Sequence, residues 1–328
     1  MRIGTRREWL RGVLPGLIIF TLLISSAARS QPTTPSPAEL VRRVVQNEIT
    51  KSSDSSTCFM FKDQRKTSHV SQTKLMVETR DATAGLLVAQ DGHPLTAEQQ
   101  KAEEARLQNY IKNPEELNKK RRQEKEDAEH TARIVKALPE AFLYQADGTE
   151  PGTDGVGQLG HELIRLKFRP NPRYDPPSRV EQVLTGMQGH LLIDAKENRI
   201  AEIDGTLQKE VGFGWGILGH LDRGGRFLVQ QGEVGNQQWE VTRMELSFTG
   251  KIFFLKKLSI RSNDVFTEFR PVPASLTFAQ GVELLEKEIA EHQSAGGTKE
   301  HKQATYKTKE KAEPQTKEQA EEQVCCDR

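Results

Sequence analysis

Between residues 189 and 260 apolar and polar side chains alternate with a period of two, and that habit restricts the chain to an antiparallel sheet with one dry face. The first hairpin suggests a register. With Lys196, Glu197 and Asn198 as its loop, Leu191 lies opposite Ile203 and Ile193 opposite Ala201, while His190, Asp194, Glu202 and Asp204 gather on the other face beside Leu192 and Ile200. A loop one residue longer pairs Leu192 with Ile203 and mixes the faces, which a half-buried sheet does not tolerate. Met244, Leu246 and Phe248 repeat the alternation against Arg243, Glu245 and Ser247, as do Ile252, Phe254, Leu258 and Ile260 against Lys257 and Ser259. Phe253 and Leu255 break this last pattern, as expected of a strand contacted from both sides.

A chain of 328 residues with 35% hydrophobic content holds one large or two small domains, with part of it outside any core. Lys plus Arg (47) nearly balance Asp plus Glu (46), so the net charge of +1 supplies no field for nucleic acid or an anionic membrane. Cys58 and the adjacent Cys325 and Cys326 form neither a disulfide framework nor a metal-ligand spacing. Residues 1–30 carry Arg2, Arg6, Arg7 and Arg11, then an apolar run from 13 to 24, then small residues ending in Ala28 and Ser30. That run is too short to span a bilayer and its order is that of a secretory signal, which places the mature chain in the periplasm or outside the cell. Arg6-Arg7 also resembles a twin-arginine signal, with the ordinary secretory route the stronger reading. No cysteine stands at the cleavage site to carry a lipid.

The domain proper is expected over residues 31–290. Pro37 suits the start of a helix carrying Leu40, Val41, Val44 and Val45. Strand-like segments follow at 58–62, 74–80 and 86–90. Thr96 and Gln99 form a capping box that opens a charged helical insertion over 96–138, divided at Asn113-Pro114 and expected to lean on the sheet at both ends and be loose between. Its lysines and arginines interleave with carboxylates, the mark of a solvated face rather than a nucleic-acid site. Strands return at 141–145 and 161–168, residues 169–178 are too rich in proline for either regular structure, Ser178 caps a short helix ending at Gly186, and residues 276–290 form a closing helix. Residues 291–328, nearly devoid of apolar side chains, are expected to stay disordered.

Motifs for chemistry are weak. His161-Glu162 lacks the second histidine of a zinc-protease helix, and Gly212, Gly214 and Gly216 lack the strand-turn-helix setting of a dinucleotide site. His190 opposite Asp204 is an orienting pair with no nucleophile beside it, so a hydrolase ranks third among the readings. No catalytic residue, metal ligand or cofactor is assigned. Residues 211–221 place Phe213, Trp215, Ile217 and Leu218 among glycines, large apolar groups on a backbone few side chains stiffen.

The segments GHLLIDAKENRIAEIDGTL and QQWEVTRMELSFTGKIFFLKKLSI, with Ile193-Asp194, Trp239 and a Gly250-Lys251 hairpin, resemble the outer-membrane lipoprotein-sorting (LolA-like) family of periplasmic carriers and sensors. The resemblance implies an α+β fold, a curved antiparallel half-barrel with helices on its concave side and a cavity for acyl chains. The expected ligand is a lipid, a lipoprotein acyl chain or another hydrophobic molecule, touched by Phe213, Trp215, Ile217, Leu218, Met244, Leu246 and Phe248. The alternative is an envelope scaffold with a packed core, its protein partners held by the insertion and tail.

Overall fold

The computed structural model describes residues 35–53, 57–213, 219–252 and 256–291. Residues 1–34, where the secretory signal is expected, residues 292–328, and Trp215, Ile217 and Leu218 lie outside them.

Local signals account for the helices. Helix α1 (Pro37–Ser53) begins at its proline and buries Leu40, Val41, Val44 and Val45, one stripe at helical spacing. Helix α2 (Ala97–Lys112) opens on the complete Thr96/Gln99 capping box, and α3 (Pro114–Ala141) opens with Asn113 accepting from the Glu115 amide and Pro114 in the first turn. Helix α4 (Arg179–Gln182) is capped by Ser178 and runs into a 3-10 turn, Val183–Gly186. A last helix, α5, spans residues 278–291. The middle of the insertion is not loose: the Arg121 guanidinium donates to the Asp81 carbonyl at 2.9 Å, and Glu124 accepts from the Thr83 amide at 3.1 Å.

Thirteen strands make one large, curved, unclosed antiparallel sheet. They are β1 (Cys58–Thr67), β2 (Ser71–Val77), β3 (Ala84–Gln90), β4 (His93–Pro94), β5 (Phe142–Pro151), β6 (Glu162–Pro170), β7 (Met187–Asp194), β8 (Arg199–Leu207), β9 (Val211–Phe213), β10 (Gly219–Leu221), β11 (Arg226–Glu233), β12 (Trp239–Ile252) and β13 (Lys256–Val272). The order is β4-β3-β2-β1-β13-β12-β11-β8-β7-β6-β5, with β9 and β10 a small hairpin joined to β12.

Two details differ from the alternation read in the sequence. Leu191 does pair with Ile203 and His190 with Asp204, but the ladder slips between Leu192 and Ile193, so Ile193 meets Ile200 and Ala201 is the extra residue of a bulge. Ile200 thereby joins the Leu191 face and Ala201 the opposite one. Gly250 and Lys251 are not a turn. Strand β12 continues to Ile252, and Gly250 sits flat between β10 and β13, where an added Cβ would lie 2.1 Å from the His220 carbonyl oxygen. A side chain there would block the hairpin.

Register places the two main cores on opposite faces. One line of cross-strand partners runs Leu191, Ile203, Val229, Met244, Asp264, Arg65, and these residues share a face because directly paired residues point the same way. At the β5–β8 end of that face α1 and the last turns of α3 cover Leu166, Phe168, Leu191, Ile193 and Ile200, fully buried aliphatics of this kind contributing roughly 1.5–3 kcal/mol each. Met60 is five residues from Arg65 in β1 and therefore faces the other way, where α2 and α5 close a second core with Val77, Ala84, Leu86, Leu107, Phe278, Val282 and Leu285. Helices on both faces are a departure from the arrangement implied by the resemblance. Residues between these cores, on β11, β12 and β13, carry the candidate site.

Candidate functional site

The alternation of β12 puts Met244, Leu246 and Phe248 on the face covered by α1, and its partners extend the row. Val229 lies opposite Met244, Phe227 opposite Leu246, and Ile260 of β13 opposite Phe248. Phe213, Phe227 and Phe248 pack on the flank of the α1 core, whereas Met244, Leu246 and Val229 lie past its edge. All are half-buried except Ile260, which is 41% exposed. The strip is contiguous, apolar and only partly covered, because α1 meets the sheet mainly at β8 and β5. Of the seven residues expected to meet a ligand, four are therefore described, and three of these stand in one row on β12.

The strip changes character beyond Met244. Its neighbour Asp264 is 1% exposed and binds Arg65, Nε to Oδ1 at 2.7 Å and Nη2 to Oδ2 at 3.4 Å. Two residues on from Asp264, Phe266 faces Asp63, which in turn pairs with Lys74 on β2. Burial pushes the Asp63 carboxyl above its usual range, partly opposed by Arg65, and pushes the Lys74 ammonium below its own. Phe61 stacks on Phe269 at 5.4 Å and meets Phe266 edge-on, giving the charged patch an aromatic border. No local sequence signal could have disclosed this patch. Asp63, Lys74 and Asp264 come from three strands, and two of them are about 200 residues apart in the chain.

A second acidic group lies at the start of β12. Burial first, then the neighbouring Glu78, raises the Glu240 carboxyl to about 7, against a smaller pull from Arg199. Glu78 is likewise raised by burial although it accepts from the Phe59 amide at 2.9 Å. Nearby, Glu48 of α1 accepts from Arg199, the Ile200 amide and Gln231, which anchors the helix to β8 and β11.

The opposite face of β6, β7, β8, β11 and β12 is laced with ion pairs. His190 does not bond Asp204, although the two are directly opposed; its Nε2 meets Glu202 at 2.9 Å, while both Asp204 oxygens accept from Arg226. The diagonal partner wins because Arg226 offers Asp204 a two-pronged, charge-assisted contact. Burial raises the Glu202 carboxyl, but the hydrogen bonds from His190 and Gln230 outweigh it and hold the group below its usual range. His190, Glu202 and Asp204 have the proximity of metal ligands, and so do Glu210, His220 and Asp222. In the first group Arg226 already serves as the cation. The orienting pair suggested by the sequence is thus part of a surface network.

Another histidine is tied down more deeply. Asp194, fully buried, accepts from the amides of Lys196 and Glu197 and contacts His161 Nδ1 at 2.8 Å, closing the β7–β8 turn against the start of β6. A cleft of about 330 Å³ opens elsewhere, lined by Pro170, Pro172, Tyr174, Gly186, Gln208 and Lys209. It is built by the proline-rich segment standing off the 3-10 turn.

Compared with known protein families, with characterised proteins and with solved structures, the chain matches none.

Proposed function

We propose that this chain is an exported carrier or sensor that binds the acyl part of a lipid, or another hydrophobic molecule, along the apolar strip of β11 and β12, and that binding rather than bond-making is its work. The observation that carries the reading is the row Met244, Leu246 and Phe248, flanked by Val229, Phe227 and Ile260, left half-open beside a well-covered core. Contiguous apolar surface of this kind is costly in water unless something occupies it. Residues 1–30, basic, then apolar, then small, support export. The resemblance to lipoprotein-sorting carriers points to the same class of ligand.

Displacement of a fluorescent fatty-acid probe from the mature chain tests it. Fatty acid and lysophospholipid should compete, and Leu246→Asp should weaken probe binding at least about tenfold, since burying an acyl chain against a carboxylate forfeits more than 1.4 kcal/mol. Failure of every lipid class to displace the probe would end the reading.

A further inference from the structure

We propose that the charged end of the strip recognises the zwitterionic head of an aminophospholipid, its primary ammonium on Asp63 and its phosphate on Lys74. This rests on the lipid-binding reading above and specifies the ligand's head.

Asp63 is 7% exposed, and its Oδ1 has no hydrogen-bond donor among the described residues. An orphaned buried carboxylate oxygen is unusual, because desolvating a charged acceptor without a donor is among the larger single costs a fold can carry. A donor is close without being used. Lys74 stands directly across the β1–β2 ladder on the same face, with Cβ atoms of such pairs roughly 4.5–5.5 Å apart, yet no ion pair joins the two side chains among the described residues. Arg65 does not supply the want either, since its guanidinium is spent on both oxygens of Asp264. The carboxylate and the ammonium stand side by side, in each other's field but joined by no hydrogen bond or ion pair among the described residues.

Their position in the strip decides what fits. Asp264 adjoins Met244 from β13, and Asp63 on β1 lies opposite Phe266, so Asp63 and Lys74 stand beside the Met244 end of the row, two and three strands across the sheet from β12. An amphiphile with its chain on Leu246 and Phe248 reaches this pair by turning at Met244 and crossing β13, a lateral step of roughly 10 Å at the usual strand spacing. A head of one sign would satisfy one residue and repel the other. An ammonium joined to a phosphate by a two-carbon link satisfies both, donating to Asp63 while its phosphate oxygens accept from Lys74. Arg65, 45% exposed on the adjoining rung, stays bonded to Asp264 and leaves Asp63 and Lys74 to the head group.

The experiment is competition for the fatty-acid probe by short-chain phosphatidylethanolamine, phosphatidylglycerol and free fatty acid of equal chain length. The wild-type chain should bind phosphatidylethanolamine about tenfold or more tighter than phosphatidylglycerol, as expected for a hydrogen bond between charged groups. Asp63→Asn should erase that preference, and Lys74→Met should weaken binding of both phospholipids, whose phosphates it no longer meets. Equal wild-type affinity for the two phospholipids, with fatty acid still competing, overturns the head-group assignment and leaves the strip standing. No competition by any of the three overturns the strip itself. The wild-type ratio needs no substitution, so a variant that fails to fold does not remove the test.

Discussion

Single carboxylates show how burial and pairing set the chemistry of this sheet. Asp264 and Asp194 are both inaccessible, and each is held by several donors. Glu240 is the contrary case, its carboxyl raised from an ordinary 4.5 to about 7 by burial and by Glu78. A folded state that holds a proton more tightly than the unfolded chain loses stability as pH rises between the two values. Glu240 therefore contributes no penalty below about pH 4.5, and a growing one up to pH 7, of at most about 3 kcal/mol. Glu240→Gln should match wild type in urea midpoint at pH 4 and exceed it at pH 8. Parallel curves across that range would show that Glu240 titrates like an exposed carboxylate. The same residue marks the limit of sequence reading at this scale: Glu240 follows Trp239 as any surface glutamate could, and only its burial, with the approach of Glu78 from just beyond β2, makes it unusual.

Elements were legible where their signals are local. Pro37, the Thr96/Gln99 box, Asn113-Pro114 and Ser178 each satisfy or delete backbone donors within one turn of themselves, so the starts of α1, α2, α3 and α4 follow from a few neighbouring residues. The alternation of β12 was equally plain, and with it the placing of Met244, Leu246 and Phe248 on one face. Its far end was not. Gly250 reads as a turn when only its neighbours in sequence are known, and its actual reason is the carbonyl of His220, some thirty residues upstream, pressed against it. Gly250→Ala should consequently unseat β9 and β10 while β11 and β12 stay paired, at a cost of about 1–3 kcal/mol. Amide exchange would show it as faster exchange confined to residues 219–221. Uniformly faster exchange across β12 would instead mean that Gly250 supports the strand as a whole. The bulge at Ala201 escaped for a similar reason, since it depends on α1, whose Glu48 binds the Ile200 amide and so fixes the slip from outside the hairpin.

At the scale of the whole molecule the first strand and the last are neighbours, and β13 is the seam. Among the described residues, strands β1 to β4 join the rest of the ladder only through β13, while α5, which follows it, covers the core of β1 to β3. The pairing of Cys58 with Val272 spans most of the described chain, so this half cannot close until the C-terminal segment is in place, and folding should be slow for the molecule's size. The same connectivity couples the two cores although they lie on opposite faces: loss of β13 exposes Met60 and Val77 on one side and uncovers Met244 on the other. Asp264 is the residue at which this can be probed, being buried beside Met244 on β12 and bonded to Arg65 on β1. Asp264→Ala removes a carboxylate that accepts two bonds from a half-exposed arginine and should cost about 2 kcal/mol. If the seam joins the halves, exchange protection falls together in β1 to β3 and in β11 to β12, and melting remains a single transition at a lower temperature. Loss confined to β1 to β3, or a melt that splits in two, would mean that the cores fold as separate units and that β13 merely lies between them.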